Sequence, residues 1–331
     1  MLEQTPIAAS LAQQPSQQDS IACDMRTDYV LITPVRDEED YIGAMIESIS
    51  GQTIPPKRWI VVDDGSRDQT AQIVTEYARR LPFIELITLP AREQRLAGGE
   101  GAIPFALKRI QLDDFSYLAR FDADLLFPPD YMAGILNEFH RNPKLGIAGG
   151  MLFVEKGKSL KLEANPRFHV RGALKTYRSQ CLMDIGGLTT ELGWDTVDEV
   201  LAWSKGWTTS SFPALHVLHR RPTGDGSEGC RLYRQRGRAE YLTWSHPLYV
   251  AIRVLRIAYL DRSILKPASY LAGYIETLAG RPPRTKDPVF IQSRHAQQLT
   301  RLAEFVGLRV RSAADKALID RQSGSATSLK G

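Results

Sequence analysis

The chain has 331 residues, 43% hydrophobic and 24% charged, the balance of an ordinary globular protein. Its net charge of +4 is mild and its Lys/Arg runs are short, so nucleic acid is not an expected partner. Cys23, Cys181 and Cys230 are odd in number and form no Cys-x-x-Cys, which speaks against a disulfide framework or a zinc site and for a reducing cytoplasm.

Residues 1–27 are rich in Gln, Ser and Ala, lack the basic flank and apolar run of a secretory signal, and read as a disordered tail. Tyr29–Thr33 is a continuous apolar run expected as a buried parallel strand that stops at Pro34. Val35–Glu39 follows as a polar loop, and Tyr41–Ser50 carries Ile42, Met45, Ile46 and Ile49 at helical spacing. Arg58–Asp63 predicts a second buried strand ending at Asp63-Asp64-Gly65-Ser66, then a helix from about Asp68 to Arg80 and a third strand at Glu85–Leu89. This alternation predicts an α/β fold with a mostly parallel central sheet flanked by helices, whose ligands sit beyond the carboxyl ends of the strands.

Arg92 and Arg95, with the glycines of residues 95–101, form a loop able to approach anions before a helix at Ile103–Ile110. Tyr117–Phe121 then runs into Asp122 and Asp124, with Pro128 and Pro129 opening a turn. Residues i and i+2 of an extended chain point the same way, so both carboxylates leave the strand together. Such a pair suits Mg²⁺ or Mn²⁺, which takes one or two carboxylates plus phosphate oxygens; the alternative is a solvated acidic turn. A dinucleotide site would need a glycine-rich turn after the first strand, where this chain has Pro-Val-Arg-Asp-Glu-Glu, so hydride transfer is not expected.

Thr33–Glu39, Val62–Ser66 with Asp68-Gln69-Thr70, and Phe121–Asp124 occur in one order and at a spacing that resembles the family 2 glycosyltransferases of GT-A fold. The resemblance covers roughly Tyr29 to Arg221. It implies a nucleoside-diphosphate-sugar donor, UDP-sugar favoured, across the strand ends. Thr33, Pro34, Arg36, Glu38, Asp63, Asp64 and Gly65 would form its base and ribose site. Asp122 would face the ribose or metal, Asp124 would bridge the metal to the diphosphate, and His219, or His216, would complete the metal shell. It further implies an acidic general base near Gly193–Glu199. Counting back from Gly206 selects Asp195, counting forward from Gly187 selects Asp198, and an N-cap role is open to either. The implied reaction is inverting transfer of one sugar to an acceptor hydroxyl, a saccharide or lipid-linked saccharide of cell-surface polysaccharide synthesis. A sugar nucleotidyltransferase and a non-catalytic nucleotide-sugar-binding module are the rivals. The former should carry a basic glycine-rich loop after its first strand, which is missing.

Further elements are expected as a helix at Tyr131–His140, strands at Leu145–Phe153 and Phe212–Leu218, and a helix ending at Lys205. On this reading the GT-A domain spans residues 28–225, a C-terminal helical region 226–311, and a flexible tail 312–331. Arg220, Arg221 and residues 231–238, with Arg234, Arg236 and Arg238, form the densest basic patch, suited to the leaving nucleoside diphosphate or an anionic lipid head group; the alternative is a solvated basic face. Leu248–Leu260 and Ile264–Leu278 are apolar but short of the ~20 residues needed to span a bilayer, and fit helices lying in a membrane interface, a peripheral contact. A linker at Pro282–Pro288 precedes a last helix at His295–Val306.

Overall fold

A computed structural model describes residues 27–90, 101–156, 159–163, 165–188, 193–221 and 229–305. The expected tails and the loop holding Arg92 and Arg95 lie outside the described residues. The chain divides into two compact units, the first ending at Gly229 and the second beginning at Cys230.

In the first unit, β1 (Tyr29–Val35), β2 (Arg58–Asp63), β3 (Ile84–Thr88) and β4 (Tyr117–Phe121) form a parallel block in the order β3-β2-β1-β4. Beyond β4 lie β8 (Leu174–Arg178), β6 (Leu145–Lys156), β9 (Thr208–His219) and the short β5 (Leu125–Leu126), with β7 (Ser159–Leu162) paired to β6. β6 and β9 run parallel, whereas β8 is antiparallel to both β4 and β6.

Alternate β1 side chains enter opposite cores. Tyr29 and Leu31 pack with Trp59, Phe121 and Phe139; Val30 and Ile32 pack with Ile60, Leu118 and Tyr177. The first core is closed by α1 (Ile42–Ser50), α2 (Thr70–Arg80) and α4 (Tyr131–Arg141). The second is closed by α3 (Ile103–Leu107), α5 (Ser179–Asp184) and α6 (Trp194–Ser204). Burial on both faces explains the unbroken apolar runs, each large side chain contributing about 1.5–3 kcal/mol.

The expected stop at Pro34 is corrected: β1 continues to Val35, with Pro34 opposite Val62 and Val35 opposite Asp63. Proline lacks an N–H but keeps its carbonyl, and a strand can end through it. This register aligns Val35 with Asp63, while Ile32 stands beside Arg120 of β4. The three acidic strand ends therefore open on one rim.

The second unit consists of α7 (Gly229–Leu242), α8 (Pro247–Asp261), α9 (Leu265–Gly280) and α10 (Pro288–Phe305). The last helix starts earlier than its apolar spacing suggested, because Pro288 sits at its first turn, where a missing N–H loses nothing. Glu240 anchors this unit: Arg253 Nη1 donates to it at 2.6 Å, and Ser245 and Arg294 meet its other oxygen. Among the described residues, no helix is long and apolar enough to cross a membrane.

Candidate active site

The first two rim loops are tied together by their own polar groups. Asp63 Oδ1 accepts from the Ser66 amide at 2.9 Å and hydroxyl at 2.5 Å, while Gly65 supplies the positive φ (75°) that the turn requires. Ser66 Oγ also accepts from the Asp37 amide, and Thr70 Oγ1 from the Glu38 amide at 2.8 Å. Arg36 lies buried with its guanidinium 3.8 Å from Asp64. These bonds hold the loops in place while keeping Pro34, Arg36 and Asp63 at the strand ends.

Thr33 is a correction to the expected site. It is fully buried and its hydroxyl accepts from Trp59 Nε1 at 3.0 Å, so it faces the core beneath the rim. Alternation along β1 sets this.

Asp122 and Asp124 leave β4 as expected, but into different surroundings. The Asp122 amide donates to the Ala173 carbonyl at 2.9 Å, and its carboxylate lies 3.3 Å from Arg120 with over a third of the side chain exposed. Asp124 is buried. Its Oδ2 accepts from Arg221 at 3.1 Å; its Oδ1 accepts no hydrogen bond and faces His219 Nε2 at 3.5 Å. Burial opposes the Asp124 charge, but His219 and Arg221 outweigh it and hold the carboxyl below the usual range. Burial likewise opposes a charge on His219, yet Asp124 and Glu163 (3.3 Å from Nδ1) carry the imidazole up to about 9. Arg221 also donates to Glu38 at 2.7 Å, joining the first loop to the third.

A buried carboxylate oxygen without a hydrogen bond is the kind of donor a hard cation takes. No preformed group of three or more His, Cys, Asp or Glu ligands exists among the described residues. A cation at this rim would be held by one or two carboxylates together with diphosphate oxygens. The residues present are therefore compatible with Mg²⁺ or Mn²⁺ at Asp124 and Asp122, with His219 beside them.

The two candidate bases differ. Gly193, at φ 89°, starts α6, placing Trp194 and Asp195 in its first turn. Trp194 stacks under Arg120, whose carbon lies 4.2 Å from the ring centroid, and Gly172 fits against Trp194 and Asp195 because it has no side chain. Arg120 thereby links Asp122 to the start of α6, and it also donates to the Gly172 carbonyl. The Asp195 carboxylate makes no hydrogen bond or ion pair with any of the described residues. Asp198, one turn on, is 1% exposed and accepts from Lys175 Nζ at 2.7 and 2.9 Å, from Tyr177 at 2.5 Å and from the Glu199 amide at 2.7 Å. Lys175 also donates to the Asp195 carbonyl at 2.6 Å. Burial opposes its charge, but Asp198 and Glu199 keep the ammonium protonated. Asp198 is thus enclosed beneath the helix, and the loop-count reading that selected it as a base is corrected on that ground.

The structure thus holds Arg36, Glu38, Asp63, Asp64, Asp122, Asp124, Asp195, His219 and Arg221 on one unit, and adds Arg120 and Glu163. His216 instead packs at a tilt against Phe153, the ring centroids 4.6 Å apart. Arg221 follows His219 closely in sequence, but nothing local announces its two carboxylate partners. Glu163 carries no sequence signal at all.

Residues 30–187 match the family described as Glycosyl transferase family 2. A poly-beta-1,6-N-acetyl-D-glucosamine synthase of Staphylococcus epidermidis is 25% identical over 188 residues, covering 55% of this chain and 43% of the relative, so the match spans less than half that relative's length. The fold resembles the mannosyltransferase PcManGT from Pyrobaculum calidifontis, solved with GDP-Man and Mn²⁺ (TM-score 0.52, 17% identity, 98% of this chain and 87% of that one). It also resembles GalNAc-T7 solved with UDP, GalNAc and Mn²⁺ (TM-score 0.53, 13% identity, 80% and 60%). With its motifs, mixed sheet and matched region in agreement, residues 30–187 form a family 2 glycosyltransferase domain, and the fold around them is similar to that of GT-A glycosyltransferases.

Proposed function

We propose that the chain transfers one sugar from a nucleoside-diphosphate donor, UDP-sugar favoured, to the hydroxyl of a saccharide or lipid-linked saccharide at the cytoplasmic face of a membrane. The observation that carries this is the contrast on α6: the Asp195 carboxylate, in the first turn, accepts no hydrogen bond from the described residues, while Asp198 is buried and accepts from Lys175 and Tyr177. A general base needs the former condition.

Asp63, Arg36 and Glu38 bind the nucleoside at the strand ends, and Asp122 with Arg120 orients the sugar-proximal side. Asp195 accepts the acceptor hydroxyl proton as its oxygen bonds to the anomeric carbon. The bond from that carbon to the diphosphate breaks, its electron pair leaving with the diphosphate, and a single displacement inverts the centre. Mg²⁺ or Mn²⁺ at Asp124 and Asp122, when bound, supplies charge neutralisation for the leaving diphosphate.

The test is thermal stabilisation by UDP against GDP, with and without Mn²⁺, alongside diphosphate release from a nucleotide-sugar panel. A UDP concentration of ~100 times Kd should add about 2.7 kcal/mol. Donor binding without turnover toward any acceptor would leave a binding module. Release of pyrophosphate from a nucleoside triphosphate and a sugar phosphate would make it a nucleotidyltransferase.

A further inference from the structure

Strand β6 is flanked by two residues that no sequence motif connects. Glu163 follows β7, and its amide donates to the Leu152 carbonyl of β6 at 2.8 Å. His219 ends β9, opposite Val154 of β6. β7 and β9 both pair with Phe153 and Val154, so the two side chains approach each other from either side of that strand. They stand 56 positions apart in sequence, yet Glu163 Oε2 lies 3.3 Å from His219 Nδ1. Arg171 Nη2 donates to the same oxygen at 2.9 Å, which sets the direction of the carboxylate. Only 14% of the Glu163 side chain and 9% of the His219 side chain are exposed, and a charge-assisted hydrogen bond is stronger away from water.

An imidazole can turn about its Cβ–Cγ bond and offer either nitrogen, because that torsion is broad and roughly two-fold. A carboxylate paired with a guanidinium accepts and does not donate, so the nitrogen facing Glu163 is a donor. Nε2 makes no such bond. It stands 3.5 Å from Asp124 Oδ1, the buried oxygen that accepts no hydrogen bond. A ring nitrogen must be without its proton to hold a cation, and cation binding releases such protons to solvent. A carboxylate on the opposite nitrogen is what fixes which of the two this will be.

We propose that Glu163 is a positioning residue for the cation site: it holds the Nδ1–H of His219 and so turns Nε2 to the place beside Asp124 where Mg²⁺ or Mn²⁺ binds. This rests on the reading of Asp124 and Asp122 as the cation's carboxylates, and it gives work to a residue outside every strand-end motif.

Mn²⁺ is titrated into the full chain with UDP present and followed by electron paramagnetic resonance, and nitrogen couplings to the bound ion are read by electron spin-echo modulation. The parent should show the coupling of a directly bound imidazole nitrogen. Glu163→Ala should weaken Mn²⁺ binding at least tenfold, within the roughly 10–100-fold lost with such supporting contacts, and should diminish the coupling. Glu163→Asp keeps the charge but not the reach, and should behave like Glu163→Ala. Glu163→Gln, whose amide oxygen still accepts from Nδ1–H, should stay near the parent in both readings. In a His219→Ala background, Glu163→Ala should cost nothing further, since it acts through the ring. Circular dichroism and UDP binding without Mn²⁺ should be the same throughout, which separates a lost contact from a lost fold. Parental affinity and coupling in Glu163→Ala overturn the proposal. So does an equal loss in Glu163→Gln, or a further loss on the His219→Ala background, either of which would leave Glu163 a plain partner of Arg171. A parent that binds Mn²⁺ and UDP without an imidazole coupling overturns it too, while the donor reading stands. A parent that binds neither overturns the donor reading and this one with it.

Discussion

Asp195 and Asp198 are the same residue type one turn apart, and their surroundings differ: Asp198 is buried among hydrogen-bond donors, whereas the Asp195 carboxylate accepts none from the described residues. Asp198→Asn leaves the Lys175 ammonium buried with a weakened partner, and loss of a buried ion-pair partner costs about 3–5 kcal/mol, so urea denaturation should show a large fall. Asp195→Asn should alter stability by less than about 0.5 kcal/mol while removing turnover and leaving UDP binding intact, as calorimetry alongside the transfer assay would show. His219 gives a pH prediction. Its value is raised to about 9 from an ordinary 6.5, so its contribution is complete below 6.5 and is lost as pH rises through 9. Metal-free protein should lose up to about 3 kcal/mol across that window by denaturant titration, and His219→Gln should flatten the slope. The carboxylates themselves were legible because their short motifs sit at strand ends. Arg221 was legible as a basic residue suited to a diphosphate but its pairing with Asp124 and Glu38 was not, and Glu163 was not legible at all, because these partnerships arise from the pairing of β9 with β5 and β6 and from loops distant in sequence.

At the scale of elements, β1 to β4 and their helices could be read from apolar runs and helical spacing, since both faces of the parallel block are buried. The direction of β8 could not. An apolar run is the same read either way, and only its pairing with Leu118 and Ile147 opposite Tyr177 makes it antiparallel. α7 was hidden by composition: arginines dominate it, and only Gly237, Glu240 and Tyr241 are buried. Its crossing with α9 depends on two glycines. A methyl at Gly237 would overlap the Tyr270 carbonyl, and one at Gly273 the Arg234 carbonyl, both rigid backbone. Gly237→Ala should therefore destabilise the helical unit by about 1–3 kcal/mol or more despite improving helix propensity, measurable as a lowered urea midpoint. Arg234 and Glu276, which pair across the same crossing, are too exposed to compensate.

For the molecule as a whole, the acidic strand ends lie within the first compact unit and the four C-terminal helices make up the second. The rim also comes with its own counter-charge. Arg221, held by Glu38 and Asp124, balances two acidic side chains that would otherwise repel across the opening. Proteins whose fold is assembled around an ion collapse when a chelator removes it. Here the prediction is the reverse: EDTA should silence transfer yet leave the melting temperature where it was. Enzyme purified and frozen in chelating buffer would then regain activity simply on resupply, without any refolding step.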